Sequence, residues 1–536
     1  MSRSWRKDEA DDCVEIKYCN REGVLFVVAD QTSSGIDDLK DFALSMELKR
    51  LLPTVPGDDY ASYITSDPLL LLQHLRIFNL HSHFSFLFFS INIQASNKME
   101  IEVKESTMVQ PTQDTPNVCL WMNNVDHWVA NMYVLCIYFY RPNGSSDFFD
   151  TSILKEALCK VLVPFYQMAG RMRKNETDDH LEINCNGDGA LFVVAKTNSN
   201  IDDLGDFTPT SMELKRLFPP IPGIDYNRDI TSDPLLLLQV TRFNCGGVSI
   251  GMATHHYMAD GTTAMYFIKT WCGMVRGLDH GIPPFVDRTI LRARDPPSPT
   301  FEHIEYHLPP SMKIPQQTTK SQEDPDTTTV AMLKITREQL NILKAKAKSG
   351  EKDEGGNIVN YSSYEVMTGH IWRCSCKARG LPDDQETKLY MAVDGRSKLR
   401  PPLPPNYVGN VIFAATPILL SGDLINNPLT YAVRKIHDAL IRMDDEYLRS
   451  AIDYLELNSV PTVFFTSPNI LVLSWAQLKA HDVDFGWGRP IYVGPVGIIE
   501  GIVYVLPNPT NDGSMSLAAC LKSAHMKVFQ KILYEF

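Results

Sequence analysis

The alternation of hydrophobic and polar positions predicts a chain that mixes strands and helices. Period-two alternation in "CIYFYRP" (136–142) is typical of a strand. Apolar residues at helical spacing predict helices over 152–165, 262–277, 361–380 and 522–533. In the second half, the strand candidates are the apolar runs "KLYMAVDG", "VIFAAT" and "GIVYVLP".

Turn and cap residues indicate where these elements begin and end. Gly187 and Gly189, between "LEINCN" and "ALFVVA", predict one hairpin, and Cys245-Gly246-Gly247 predicts a second. Thr262 or Thr263 can cap the helix over 262–277. Ser362 and Glu365 form a capping box, and Gly380 ends that helix.

The organisation of the chain suggests more than one domain. A length of 536 residues exceeds what one hydrophobic core usually serves. The polar stretch rich in Pro, Thr and Gln at 309–330 predicts a crossover linker. It would separate an N-terminal domain over 99–308 from a C-terminal domain over 331–536.

Residues 1–98 contain a partial duplicate of 178–244. "LFVVA" recurs at 25–29 and 191–195, "MELKRL" at 46–51 and 212–217, and "ITSDPLLLLQ" at 64–73 and 230–239. One long copy differs from the short, many-fold period of a solenoid. The copy diverges after Arg76, and a sequence like a fresh start begins at Met99. We therefore expect 1–98 to be non-catalytic and poorly packed.

Composition narrows the class of protein. A net charge of -13 argues against a general nucleic-acid binder. The N-terminus lacks the apolar run of a secretory signal, and no segment reaches the ~18–20 apolar residues of a membrane span. Eleven cysteines without a CxxC pair suggest reduced thiols. We expect a cytoplasmic monomer.

The stretch "THHYMADG" (254–261) carries the candidate chemistry, and three interpretations stand side by side. A metal site needs further ligands of matched spacing, which the sequence does not offer. Both histidines could be core residues, with Asp260 favouring a helix N-terminus. Alternatively, His256 is a general base, since a neutral imidazole can take a proton from an attacking hydroxyl. No G-x-S-x-G elbow suggests a covalent route.

A second motif changes this balance. "DVDFGWGRP" (482–490) follows HxxxDG by more than 200 residues. In this order and distance, the two motifs resemble the signatures of the plant BAHD acyl-CoA-dependent acyltransferases. "YFYRPNGSS", "YSSYEVMTGHIW" and "KLYMAVDGRSKLRPPLPPNYVGNVIF" resemble its hydroxycinnamoyl-CoA:shikimate/quinate branch. The likeness covers about 99–536.

This resemblance implies a fold and a reaction. The fold is α/β, with two similar-sized domains of mixed sheets and flanking helices (chloramphenicol-acetyltransferase-like), joined by a crossover loop. A channel between them would admit hydroxycinnamoyl-CoA and a small hydroxylated acceptor, shikimate or quinate. His256 would be the base, without a covalent enzyme intermediate. Acyl-CoA is a co-substrate, and neither a cofactor nor a metal is expected.

The resemblance also assigns other residues. Asp260 and Gly261 would hold the loop, with Lys398 as the partner of Asp260. Arg396 would pair with Asp484 in a structural clamp formed by Asp484, Phe485, Gly486, Trp487 and Gly488. The expected substrate contacts are Cys136, Tyr138, Ser363 and Trp475.

Several positions depart from the branch and leave the acceptor open. An arginine that grips the acceptor carboxylate is missing from 455–475, and Leu473 replaces a threonine. Cys136 replaces a serine and Gln167 a proline. Losing a bidentate clamp weakens carboxylate binding. A hydroxyphenyllactate acceptor and an inactive duplicate that keeps the fold therefore stay as alternatives.

Overall fold

A computed structural model describes residues 14–19, 24–29, 99–177, 180–207, 212–221, 229–278, 281–313, 327–348, 359–459, 467–508 and 512–536. The chain divides into two compact units, Met1–Ile93 and Gln94–Phe536. The second unit begins five residues before Met99. Each unit is described by itself.

In the first unit, two strands form an antiparallel hairpin. Strand β1 (Val14–Cys19) pairs with β2 (Val24–Ala29), and Val14 lies opposite Ala29. Most of the repeated sequence, including both "MELKRL" and "ITSDPLLLLQ" of this copy, lies outside the described residues.

The second unit begins with a six-stranded mixed sheet in the order β16-β5-β10-β9-β8-β3. All its pairs are antiparallel except the parallel pair β8–β9. Its strands are β3 (Ile101–Val109), β5 (Tyr133–Tyr140), β8 (Ala190–Thr197), β9 (Leu236–Arg242), β10 (Val248–His255) and β16 (Tyr492–Val496).

Two helices cover this sheet and bury a common core. Helix α2 (Thr151–Val161) packs against α4 (Gly261–Val275). The apolar residues that predicted helix α4 lie on its buried side, and Phe267, Ile268 and Trp271 are fully buried. Two shorter helices, α1 (Asn124–Trp128) and α3 (Met212–Lys215), complete this half.

The second half contains a mixed sheet of seven strands, in the order β11-β18-β17-β15-β12-β13 with β14 also paired to β12. These strands are β11 (Thr328–Ile335), β12 (Glu386–Asp394), β13 (Ile412–Ala415), β14 (Ile418–Leu420), β15 (Ile470–Ser474), β17 (Ile502–Pro507) and β18 (Met515–Lys522). Its helices are α5 (Arg337–Lys346), α6 (Ser363–Arg379), α7 (Ser421–Asn426), α8 (Leu429–Ile441), α9 (Asp445–Leu457) and α10 (Ser523–Ile532).

Most predicted elements are confirmed, including the hairpin β9–β10 and the capping box that begins α6. The predicted hairpin around Gly187–Gly189 is wrong. Strand β7 (Leu181–Asn184) joins a separate sheet with β4 (Cys119–Trp121) and β6 (Arg171–Lys174). Strand β8 pairs with β3 and β9 instead, because these longer strands give it backbone hydrogen-bond partners along both of its edges.

Two further details differ from the sequence prediction. Helix α4 is capped by Asp260, whose Oδ1 accepts a hydrogen bond from the Thr263 amide at 2.9 Å. A carboxylate is a better cap than the predicted threonines because it also complements the helix dipole.

The crossover is shorter than 309–330, since β11 begins at Thr328; residues 314–326 lie outside the described part.

One strand of the second half belongs to the first sheet. Strand β16 pairs antiparallel with β5 along five residues. The adjoining loop buries Phe485 and Trp487 in the core under α4. The two halves of this unit are therefore joined by backbone hydrogen bonds as well as by side chains.

None of the helices in the described residues is long and apolar enough to cross a membrane.

Gln167 is a polar side chain inside the first half. It is fully buried, and neither amide atom has a hydrogen-bond partner among the described residues. We expect Gln167→Leu to raise the free energy of unfolding by about 1–3 kcal/mol, because it removes an unsatisfied buried amide. Chemical denaturation measures this change.

The matched control is Gln239→Leu. Gln239 is equally buried, but its amide donates to the Arg216 carbonyl and the Thr241 hydroxyl, each at 3.0 Å. This variant should lose stability. Equal losses of stability in both variants would contradict the view that the Gln167 amide is buried without hydrogen-bond partners.

Candidate active site

The second unit contains a large cavity, which we call the channel. Its volume is about 1730 Å³, and it is lined by residues from both halves. It brings together eight of the residues singled out from the sequence, namely Cys136, Tyr138, His256, Asp260, Gly261, Ser363, Lys398 and Trp475.

The two adjacent histidines have different surroundings. His255 is the last residue of β10, and its Nε2 lies 3.2 Å from the Asn131 Oδ1. His256 follows the strand, and its amide donates to the Met132 carbonyl at 2.8 Å. The Nδ1 of His256 is buried without a partner among the described residues, so its ring reaches the channel through Nε2.

Burial lowers the pKa of His256 below its ordinary value. Interactions with its own backbone, the charge of Asp260 and the polar side chain of Asn410 oppose this shift without cancelling it. The imidazole is therefore neutral at neutral pH. A neutral ring in a channel can accept a proton from a bound hydroxyl.

Asp260 points away from this chemistry and into a buried ion pair with Arg396. The guanidinium donates to both carboxylate oxygens, at 2.7 and 3.0 Å, and the Val411 amide donates at 3.1 Å. Burial by itself would raise the pKa of Asp260, but Arg396 outweighs it and holds the pKa below its ordinary value. The pair fixes the start of α4 to the turn after β12.

The predicted partners of Asp260 and Asp484 are therefore wrong. Lys398 makes no ion pair within the described residues and lines the channel instead. Asp484 does not contact Arg396; its Oδ1 accepts from the amides of Gly486 at 2.8 Å and Gly488 at 3.0 Å. Both glycines have positive φ, which favours glycine and allows this tight turn.

Aromatic packing holds the same turn against the first half. The ring of Trp487 lies 4.9 Å from that of Phe149, and its indole N–H donates to Asp147 at 3.1 Å. Phe485 packs edge-on against Trp271 of α4. These contacts agree with a structural role for the motif.

A second buried ion pair supports the histidine loop, and no sequence motif indicates it. The Arg288 guanidinium lies 2.7 Å from the Asp126 carboxylate and donates to the Met258 carbonyl at 2.8 Å. Asn410 donates to Asp126 at 3.0 Å and to the His256 carbonyl at 2.8 Å. The backbone around His256 is thus held from two sides.

Groups that could form a covalent intermediate are poorly placed. Burial raises the pKa of the Cys136 thiol to about 12, so it stays protonated. Ser450, His303 and Glu305 form a hydrogen-bonded line with 2.8 Å steps, but all three are buried. The Ser450 hydroxyl also accepts from two backbone amides, which makes this cluster structural.

Among the described residues, no three side chains of His, Cys, Asp or Glu are grouped so that they could hold a metal ion.

We expect Asp260→Asn to lower the free energy of unfolding by about 3 kcal/mol, because it leaves the buried Arg396 without its counter-charge. Activity should fall with it. Lys398→Met is the control, and it should unfold at nearly the same denaturant concentration as the wild type. A variant Asp260→Asn with intact stability but no activity would instead indicate direct participation of Asp260.

Comparisons with known proteins agree with this geometry. The model of the Transferase family matches residues 99–536. A shikimate O-hydroxycinnamoyltransferase of Nicotiana tabacum is 55% identical over 445 residues, which cover 82% of this chain and 100% of that protein. A hydroxycinnamoyltransferase of Narcissus pseudonarcissus and a rosmarinate synthase of Plectranthus scutellarioides are 50% and 45% identical, with the same coverage.

Solved structures share the fold at low identity. Vinorine synthase superposes with a TM-score of 0.62 at 19% identity, covering 80% of this chain and 96% of that one. F. graminearum TRI101, complexed with coenzyme A and T-2 mycotoxin, gives 0.60 at 17%, with 76% and 96% covered. The expected two-part fold of mixed sheets and flanking helices is confirmed, and the chain belongs to the BAHD family of acyl-CoA-dependent O-acyltransferases.

Proposed function

We propose that this chain transfers a hydroxycinnamoyl group, p-coumaroyl or caffeoyl, from CoA to a hydroxyl of shikimate or quinate. The observation that carries the proposal is the neutral His256, whose ring opens into a channel lined by both halves. The name of the Nicotiana relative supports the acyl group and the shikimate acceptor.

His256 acts as the general base in this proposal. Its Nε2 removes the proton from the acceptor hydroxyl while that oxygen attacks the thioester carbonyl carbon. The carbon–sulfur bond then breaks, and the proton passes from Nε2 to the leaving CoA sulfur. The ester and free CoA are the products, and the imidazole returns to its neutral form. The depressed pKa supports this role because a charged ring could not accept the proton.

The remaining channel residues contact the substrates. Cys136 and Tyr138 lie side by side on β5, and the buried Tyr138 hydroxyl has no hydrogen-bond partner among the described residues. Ser363 and Trp475 line the channel from the second half. Asp260, Gly261, Arg396 and the turn over Asp484–Gly488 hold the architecture.

A hydroxyphenyllactate is the second candidate acceptor. The segment 455–475 contains neither lysine nor arginine, and Leu473 places an apolar side chain on the channel wall. A rosmarinate synthase is among the similar proteins. Incubation with p-coumaroyl-CoA and a panel of acceptors, with free CoA as the readout, compares these acceptors. No turnover with any acceptor would favour the inactive alternative.

We expect His256→Ala to lower kcat by about 10²–10⁴, the usual contribution of general base catalysis. In the wild type, burial shifts the acid limb of the pH–rate profile below the ordinary pKa of histidine, because the base stays neutral at lower pH. His255→Ala is the control, and it should cost stability more than turnover. Nearly unchanged turnover in His256→Ala would overturn the mechanism.

Residues 1–98 are, in this proposal, dispensable for the reaction. The family model starts at Met99, and the sequence of the partial copy ends before any counterpart of His256. A chain that starts at Met99 should fold and release at least as much CoA per mole as the full chain. Solubility and CoA release of both chains measure this. An unfolded or inactive Met99 chain beside an active full chain would show that 1–98 is integral.

A further inference from the structure

A second pair of histidines, His127 and His180, lies outside the HxxxD motif, and one of the two lines the channel. His127 belongs to α1, and His180 directly precedes β7. Their Nε2 atoms are 3.0 Å apart, with ring centroids 4.5 Å apart and the planes nearly perpendicular. His127 lines the same channel as His256.

The surroundings of His180 fix the protons of this pair. The Nε2 of His180 also lies 3.1 Å from the Met122 carbonyl oxygen. A carbonyl only accepts hydrogen bonds, so this Nε2 carries a hydrogen. The Nε2 of His127 must then be the acceptor, since two N–H groups at this distance would repel. His127 therefore carries its own proton on Nδ1.

Charges around His127 keep it in this neutral form. Burial lowers the pKa of His127 to about 4, and His180 and Arg288 act in the same direction, while Asp126 opposes them. Within the described residues, its Nδ1 has no hydrogen-bond partner and is not among the buried polar atoms. His127, which lines the channel, thus has one accessible N–H group without a hydrogen-bond partner among the described residues.

His127 packs against the residue that follows the candidate base in the sequence. The His127 ring packs edge-on against Tyr257, the residue after His256, with 6.1 Å between ring centroids. Helix α1 is tied to the end of α9 by a 2.6 Å hydrogen bond from Asn124 to Glu456. Asn458, just beyond α9, also lines the channel.

One part of the lining is an apolar cluster. Leu471 and Leu473 of β15 and Ile502 and Tyr504 of β17 line the channel and belong to one hydrophobic cluster. An aromatic acyl group is matched to this cluster, because its burial removes apolar surface from water. The N–H group of His127 is matched to a polar substrate instead.

We propose that the Nδ1–H of His127 donates a hydrogen bond to an oxygen of the acceptor, other than the reacting hydroxyl, and so positions that hydroxyl at His256. A carboxylate or a second hydroxyl meets this requirement. The inference rests on the proposed acyl transfer and adds a residue that selects the acceptor.

The test compares steady-state kinetics of the wild type and His127→Phe with p-coumaroyl-CoA and shikimate. Phenylalanine keeps a ring against Tyr257 and removes the N–H. The KM for shikimate should rise about five- to tenfold, which is the usual effect of one lost hydrogen bond. The KM for p-coumaroyl-CoA and the melting temperature should stay unchanged. His127→Asn, whose amide can place an N–H near the Nδ1 position, should restore part of the affinity.

His180→Phe supplies a readout that a packing role would not change. Without His180, one of the causes that lower the pKa of His127 is removed, so this pKa rises, although burial still holds it below its ordinary value. The KM for shikimate should then begin to depend on pH at a higher pH in this variant than in the wild type. The absence of this difference would contradict the proton assignment.

The outcomes separate the inference from the proposed function. If the wild type turns over and His127→Phe leaves both KM values unchanged, the inference is wrong while the function stands. If only the KM for p-coumaroyl-CoA rises, the oxygen belongs to the acyl donor, and the assignment to the acceptor is overturned. If the wild type shows no turnover, calorimetric titration of shikimate into both proteins decides, since equal affinities overturn the role of His127 and weaker binding by His127→Phe supports it.

Discussion

The buried ion pair between Asp260 and Arg396 is the interaction on which the rest of the second unit depends. Asp260 caps the helix that follows the histidine loop, whereas Arg396 follows strand β12 of the other sheet. Removing two charges from water is costly, so such a pair adds little net stability over apolar packing. Its geometry is nevertheless demanding, because both carboxylate oxygens are used. We infer that it fixes the register between the two halves.

Much of this arrangement could be predicted from the sequence. The helix that carries Ser362 and Gly380 was predictable at both ends, because caps act locally. His256 and Asp260 were singled out by a motif whose residues lie close together in the sequence. The turn over Asp484–Gly488 was also predictable as structural, since two glycines and a carboxylate define it within five residues.

The incorrect predictions concern positions where distant parts of the chain compete to be the partner of one strand or side chain. The sequence "LFVVA" forms a hairpin strand in β2, yet in β8 it pairs with β3 and β9, so local pattern alone could not decide its partners. Lys398 and Arg396 are two residues apart, and only the direction of the turn after β12 selects the partner of Asp260. The pair His127 and His180 is separated by 53 residues and belongs to no motif. The placement of its protons depends on the Met122 carbonyl, whose position the sequence alone does not reveal.

Strand β16 has a consequence for how molecules enter the channel. It belongs to the second half in sequence, but its backbone is hydrogen-bonded to β5 at the edge of the first sheet. It therefore links the two halves through main-chain contacts. Opening the halves as a hinge would break a row of backbone hydrogen bonds at once. The width of the channel is therefore set by the scaffold. Control over which molecules enter then falls to the side chains and loops that line it.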